Sequence, residues 1–232
     1  MQNEKLIAIL ERVLEGYVST TEIEEVIATL RQEVAAKNAK SAGKQDLYKA
    51  MMAVIKSAKK HHPHQEGMHS AWIFDGKQYV SNGYMLIENS GTPLDLPGLP
   101  ALPDDAKPMN VQPTIKARAE KEYPDTLVCP TIAELKSGIK EQKALAKCKH
   151  DKIGDVKYHF GGGHVANAEY LQIAVQATGS TTIHAENRTA GSVDNQCGSL
   201  WFESDDGTVR VLVLPFLGHP SSDFTGFSYN NK

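Results

Sequence analysis

Five stretches of the chain repeat apolar side chains at helical spacing, and the blocks between them are short, β-branched and aromatic. Residues 3–17 place Leu6, Ile7, Leu10, Val13, Leu14 and Tyr17 on one helical face. After an interruption at Gly16 and residues 19–21, the side chains of Ile23, Val26, Ile27, Leu30 and Val34 form a second stripe. Thr21 and Glu24 have the spacing of a capping box at its start. Together these predict an N-terminal helical hairpin over residues 1–42, ending in a hinge at 38–43. Residues 45–60 set Leu47, Met51, Val54, Ile55 and Ala58 on a third apolar face.

Residues 70–88 change period. Three short strand blocks, 71–74, 77–80 and 84–87, are separated by Asp75-Gly76 and by Ser81-Asn82-Gly83. Asp-Gly favours a tight turn because Gly accepts positive φ, so the stretch predicts a three-stranded meander that must bury one face against flanking helices. Residues 92–108 carry five prolines and read as an extended connection. Strand is expected again within 115–128. Pro130 and Thr131 then open a helix to about residue 147, with Ile132, Leu135 and Ile139 buried. A strand at 155–160 precedes a helix over 168–177 with Asn167 as its cap. Strands at 181–186, 199–203 and 209–216 complete the pattern, the last two joined at Asp206-Gly207. Residues 218–232 are a polar tail containing Phe224, Phe227 and Tyr229.

Charge adds a distinction that hydropathy does not. The chain totals −3 over 232 residues, yet residues 44–60 hold five lysines against one acid and residues 131–152 hold six against three. The remainder is therefore about −10, a segregation of sign onto two helices. Lys49, Lys56, Lys59 and Lys60 lie off the apolar stripe of the first helix, and Lys136, Lys140, Lys143 and Lys147 form a single stripe on the second. Such faces are either solvated or phosphate-facing. Residues 1–40 contrast with them, with five Lys or Arg against seven Glu. That balance repels phosphate, so the hairpin reads as a packing or oligomerisation element rather than a helix-turn-helix reader. Cys129, Cys148 and Cys197 are odd in number and scattered, and no 18-residue apolar run occurs. Both features fit a reducing cytoplasm and no membrane span.

Signatures of chemistry are sparse. His61, His62, His64 and His69 lie in an irregular, proline-containing stretch where only Glu66 could join them as a ligand. They read as a polar loop that gains charge below about pH 6.5 rather than a metal site. Gly161, Gly163 and Ala166 fit G-x-G-x-x-A after a strand, which in a Rossmann unit would seat a pyrophosphate, with Glu186 on the ribose. Against that, the residues that follow carry only strand and turn signals. No phosphate-loop, zinc-protease or nucleophile-elbow motif occurs, and no nucleophile–base pair can be assembled. Neither enzymatic activity nor a cofactor or metal is expected.

The hairpin with Ser81-Asn82-Gly83-Tyr84-Met85-Leu86 resembles the "atDGyRLa" signature of bacterial sliding clamps, the β subunit of DNA polymerase III. A helix precedes it as in that family, and Val128-Cys-Pro-Thr-Ile-Ala-Glu-Leu135 is similar to the "vPrkgl.eL" helix that follows. Asn167-Ala-Glu-Tyr-Leu-Gln-Ile-Ala-Val175 looks like its "f...yLldal" helix, and the run ending at Pro215 and Phe216 is similar to its closing "avlMPmr" strand. The resemblance spans residues 45–217 in order and departs at Met85, usually Arg in the family, and at Asn82, usually Asp.

What the resemblance implies is an α+β fold of sliding-clamp-like repeats, each a helix plus an antiparallel β-meander, after the N-terminal hairpin. The units would cover residues 43–125 and 126–217. The function implied is that of a DNA-replication accessory protein, a homo-oligomeric processivity factor whose helices face duplex DNA without reading sequence. Lys49, Lys56, Lys59, Lys60, Lys136, Lys140, Lys143 and Lys147 would then contact DNA. Polymerase or clamp-loader peptides would dock on Gly83, Tyr84, Met85, Leu86, Val213, Leu214, Pro215 and Phe216. Two units, where a bacterial clamp chain has three, would require a different subunit count in a ring. The alternatives are a clamp-fold interaction module without ring activity and a dinucleotide-binding enzyme using residues 161–166.

Overall fold

The computed structural model describes residues 12, 13, 16, 19–97, 125–148, 155–160, 164–185, 199–215 and 226–227. Most of the expected helix at 3–17, most of the proline-rich connection, Gly161, Gly163, Glu186, Cys197 and Phe216 lie outside them.

Helix α1 (Thr20–Ser41) starts from a capping box two residues earlier than the sequence spacing indicates. The Ser19 hydroxyl accepts a hydrogen bond from the Glu22 N–H (3.3 Å), and the Glu22 carboxylate accepts one from the Ser19 N–H (3.1 Å). Ser19 has the extended backbone that a cap needs, whereas Thr21 is already helical. The expected hinge at 38–43 is shorter than predicted. The helix runs on to Ser41 and turns at Ala42 and Gly43, whose φ is +72°. The apolar stripe behaves differently from expectation too. Only Val26 of it is buried, and α1 instead packs on its neighbour through small side chains, Ala35 and Ala39.

Helix α2 (Gln45–His61) buries the whole predicted stripe, Leu47, Met51, Val54, Ile55 and Ala58. The meander follows as β1 (Trp72–Phe74), β2 (Lys77–Ser81) and β3 (Met85–Asn89). Asp75 and Gly76 both take positive φ, +50° and +72°, the conformation in which a two-residue turn matches strand twist. Of the strand expected within 115–128, the described part is β4 (Asp125–Val128). Helix α3 (Ile132–Cys148) begins after Thr131, whose hydroxyl accepts from the Glu134 N–H (3.3 Å) while Glu134 accepts from the Thr131 N–H (2.8 Å).

Strands β5 (Lys157–His159) and β6 (Val165–Asn167) pair antiparallel, and the Phe160 N–H donates to the His164 carbonyl across the intervening glycines. The sequence pattern missed β6. Helix α4 (Ala168–Thr178) opens only after that strand, with Asn167 Oδ1 accepting from the N–H groups of Glu169 (2.8 Å) and Tyr170 (3.4 Å). The dinucleotide fingerprint needs glycines opening a helix beside a parallel sheet. Here a strand stands between them and α4, and that strand is antiparallel. The chain continues through β7 (Thr182–Ala185), β8 (Leu200–Glu203) and β9 (Val209–Val213). Within the polar tail, β10 (Gly226–Phe227) pairs parallel to β5.

The fold is α+β. A seven-stranded antiparallel sheet has the order β1-β2-β3-β9-β8-β7-β4, and β10-β5-β6 form a small second sheet. Two runs repeat one plan: α2 then β1–β2–β3, and α4 then β7–β8–β9. Their last strands meet in the middle, with Met85 opposite Val213, Leu86 opposite Leu212 and Ile87 opposite Val211. The boundary expected at 125/126 falls on the first residues of β4, and both sheet and core run across it. Val80, Ile87, Val211, Phe202 and Ile183 share one sheet face and form a core with α2, α3 and α4. Across the layer α1 packs on α2, α2 on α4 and α4 on α3.

Candidate functional site

All eight lysines predicted to face DNA are exposed, and the helices that carry them, α2 and α3, lie in the one helical layer, separated by α4. A lysine stripe stays outside the core for a simple reason. Its charge cannot be buried unpaired, while the four-carbon stem can lie along the helix. The stripes are not free of acids, however. Lys49 and Lys56 border an open groove of about 310 Å³ between α1 and α2, and Glu33 of α1 borders it with them. Its floor includes Ala36, Tyr48 and Met52. Lys143 is ion-paired with Glu169 in the first turn of α4, both half exposed. Lys59 and Lys60 occupy the last turn of α2, where a positive charge also complements the helix dipole.

The predicted peptide-docking residues are brought together by the β3–β9 pairing, but they do not share one surface. Met85 and Val213 oppose each other and both enter the core, at 2% and 0% exposure. Leu86 is buried on the opposite sheet face beside Leu212. What remains accessible is Gly83, Tyr84, Leu214 and part of Pro215, with the Leu214 N–H donating to the Tyr84 carbonyl (2.9 Å). Met85 therefore stands where an arginine would bury an unpaired charge, a physical reason for its identity.

Around Tyr84 the structure assembles residues that sequence reading did not connect. Tyr84 stacks on Tyr170 of α4 (ring centroids 6.3 Å apart), His62 at the end of α2 lies tilted against it (5.7 Å, 31° between the planes), and His61 meets it edge-on (6.3 Å). The loop beneath is held by Asn82, which is completely buried. Its Oδ1 accepts from the N–H groups of Tyr84 (3.0 Å) and Met85 (2.8 Å), and its Nδ2 donates to the Ser57 hydroxyl (2.9 Å). Burial raises the pKa of Tyr170, opposed by hydrogen bonds with Ser57 and Asn82. Gly83 has φ +82°, a backbone that favours glycine, and a Cβ there would lie 3.1 Å from the His62 ring, close enough to push the ring aside. The outcome is an exposed tyrosine on an aromatic base, at the point where α2, α4, β3 and β9 meet.

The other histidines do not converge. His69 Nε2 lies 2.8 Å from the His62 carbonyl oxygen, and among the described residues no group of three or more His, Cys, Asp or Glu has metal-binding geometry. Cys129 is buried, which pushes its thiol up to about 12, far from a nucleophile's range.

On the sheet face away from the core, Trp72, Tyr79, Leu86, Trp201 and Leu212 form a second buried cluster, with Trp72 and Tyr79 stacked 5.9 Å apart. Buried Glu88 sits beside it, accepting from the Tyr79 hydroxyl (2.9 Å) and pairing with Lys77 (3.3 Å) and Arg210 (3.8 Å). Burial and this carboxylate drive the Tyr79 pKa strongly up. The carboxylate is satisfied by three partners, so it reads as a structural network rather than a catalytic acid. No helix among the described residues is long and apolar enough to cross a membrane. Comparison with protein-family models, curated proteins and solved structures finds no match to the chain.

Proposed function

We propose that the chain is a clamp-like accessory protein of DNA replication, contacting duplex DNA without sequence preference and docking partner peptides beside Tyr84. The observation that carries this reading is the placing of both lysine-bearing helices in one layer on one side of a continuous antiparallel sheet. Phosphate contacts from mobile ammonium groups hold register with no base and therefore permit sliding. The repeated helix-plus-meander plan, joined at β3–β9, supports the same reading. Oligomerisation into a ring would use the sheet's outer strands, β1 and β4, because an unpaired strand edge is a template for a neighbouring copy.

A second reading, an interaction module of the same fold without ring activity, is favoured by one feature. Glu33 beside Lys49 and Lys56, and Glu169 paired with Lys143, lower the positive field where phosphates would lie. Salt-dependent retention of the full chain on duplex DNA discriminates the two. Replacing Lys49, Lys56, Lys136 and Lys140 by Glu is expected to abolish retention and to flatten the log–log salt slope by roughly 3 to 4, at about 0.9 per lost phosphate contact. Equal retention by wild type and variant would exclude DNA contact through these helices and leave the interaction module.

A further inference from the structure

Among the described residues helix α1 is the outermost member of the helical layer, and it turns an apolar seam outward. Ile23, Ile27, Leu30 and Val34 are 37%, 42%, 44% and 53% exposed, whereas Ala35 and Ala39 on the far face, and Val26 at the seam's flank, are buried. The exposed four follow intervals of four, three and four residues, the d-a-d-a order of a coiled-coil seam. Isolated surface leucines are ordinary; four large aliphatic side chains in one line on one helix are not.

Independently of the reading above, we propose that this seam is the contact for a second copy of the chain, packed antiparallel about a two-fold axis between residues 28 and 29. The charge pattern selects both partner and direction. In the antiparallel arrangement Ile23 meets Val34 of the second copy and Ile27 meets its Leu30, so the four seam positions form four apolar layers. Glu24 flanks the seam on the side occupied by Arg31, and antiparallel packing sets Glu24 against Arg31 of the second copy, twice by symmetry. A parallel pair would set Arg31 opposite Val26, which already belongs to the core of its own chain and offers no charge. Because α1 packs against α2 through its opposite face, the contact leaves the lysine stripe of α3 and the Tyr84 surface uncovered. The other occupant to be excluded is the chain's own N-terminus. Arg12 is ion-paired with Glu22 (3.0 Å), which holds residue 12 near the start of α1, and Leu6, Ile7 and Leu10 precede it.

Sedimentation equilibrium of the full chain between 1 and 100 μM tests this. Wild type is expected to dimerise, and the double variant I27E/L30E to be monomeric throughout, melting at the temperature that wild type shows when diluted to its monomer. The single variants E24R and R31E are each expected to weaken the dimer at least tenfold, and combining them to restore it. A monomeric wild type overturns the proposal. If I27E/L30E then also lowers the melting temperature, the N-terminal segment is the occupant. A dimer that survives I27E/L30E, or charge variants whose effects add instead of cancelling, overturns it equally.

Discussion

Asn82 shows how much a single side chain can organise. It sits in the turn between β2 and β3, fully buried, and three hydrogen bonds tie the turn to itself and to α2. A buried amide of this kind is stable only because each polar atom finds a partner; removing it leaves the Tyr84 and Met85 N–H groups without theirs and takes one of two partners from the Ser57 hydroxyl. Asn82→Ala is expected to cost about 2–3 kcal/mol in urea unfolding, with the m-value unchanged. It should also release Tyr84 from its stack, readable as loss of protection of the Tyr84 amide in hydrogen exchange. Unchanged stability would mean that the turn is held by backbone geometry alone. The residue was legible in the sequence only as a turn former. That its amide reaches Ser57, 25 positions earlier, depends on α2 lying across β2, which no local pattern encodes.

Elements were legible wherever their own residues carry both period and punctuation. The stripe of α2, the Asp75-Gly76 turn and the Asn167 cap all stand where the sequence indicates. Helix α4 has its stop signal in Gly179, at φ +71°, whose N–H donates to the Val175 carbonyl (2.8 Å). No atom lies within 4 Å of the position a Cβ would take there, so an alanine meets no clash, only backbone strain. Gly179→Ala is thus expected to destabilise the protein by about 1 kcal/mol in thermal unfolding, the cost of a non-glycine residue in the left-handed region. A neutral effect would show that the helix end can relax. Elements failed to be legible where period and environment part company. The α1 stripe has the spacing of a buried face, yet only Val26 is covered within the described structure. Strand β6 is three residues long and lies directly against a helix cap, too short for alternation to register.

At the scale of the molecule, one seam decides the architecture. The two helix-plus-meander runs would be separable units if each sheet closed on its own helix, but β3 and β9 pair along their full lengths and merge them. Trp72 of the first meander and Trp201 of the second belong to the same buried cluster. Unfolding is therefore expected to be a single cooperative transition. Variants retaining only Trp72 or only Trp201, the other replaced by Phe, should report the same denaturant midpoint by fluorescence. Midpoints separated by more than about 0.5 M urea would reveal two units of distinct stability.

Hydrophobic period, turn chemistry and the grouping of lysines on two helices are properties of neighbouring residues, and the sequence by itself determined them. From them follow the order of most elements and the exposure of all eight lysines, while the α+β class was what the family resemblance implied. Only the tertiary structure decided that β3 meets β9, that Tyr84 rests on Tyr170 and His62, and that Glu33 and Glu169 approach the lysines. It also sent Met85 and Val213 into the core while leaving Tyr84 and Leu214 outside. The physical reason is one of range. A strand's pleat assigns alternate residues to opposite faces, but which face is buried, and which distant charge or ring lies beside a side chain, depends on partners many residues away.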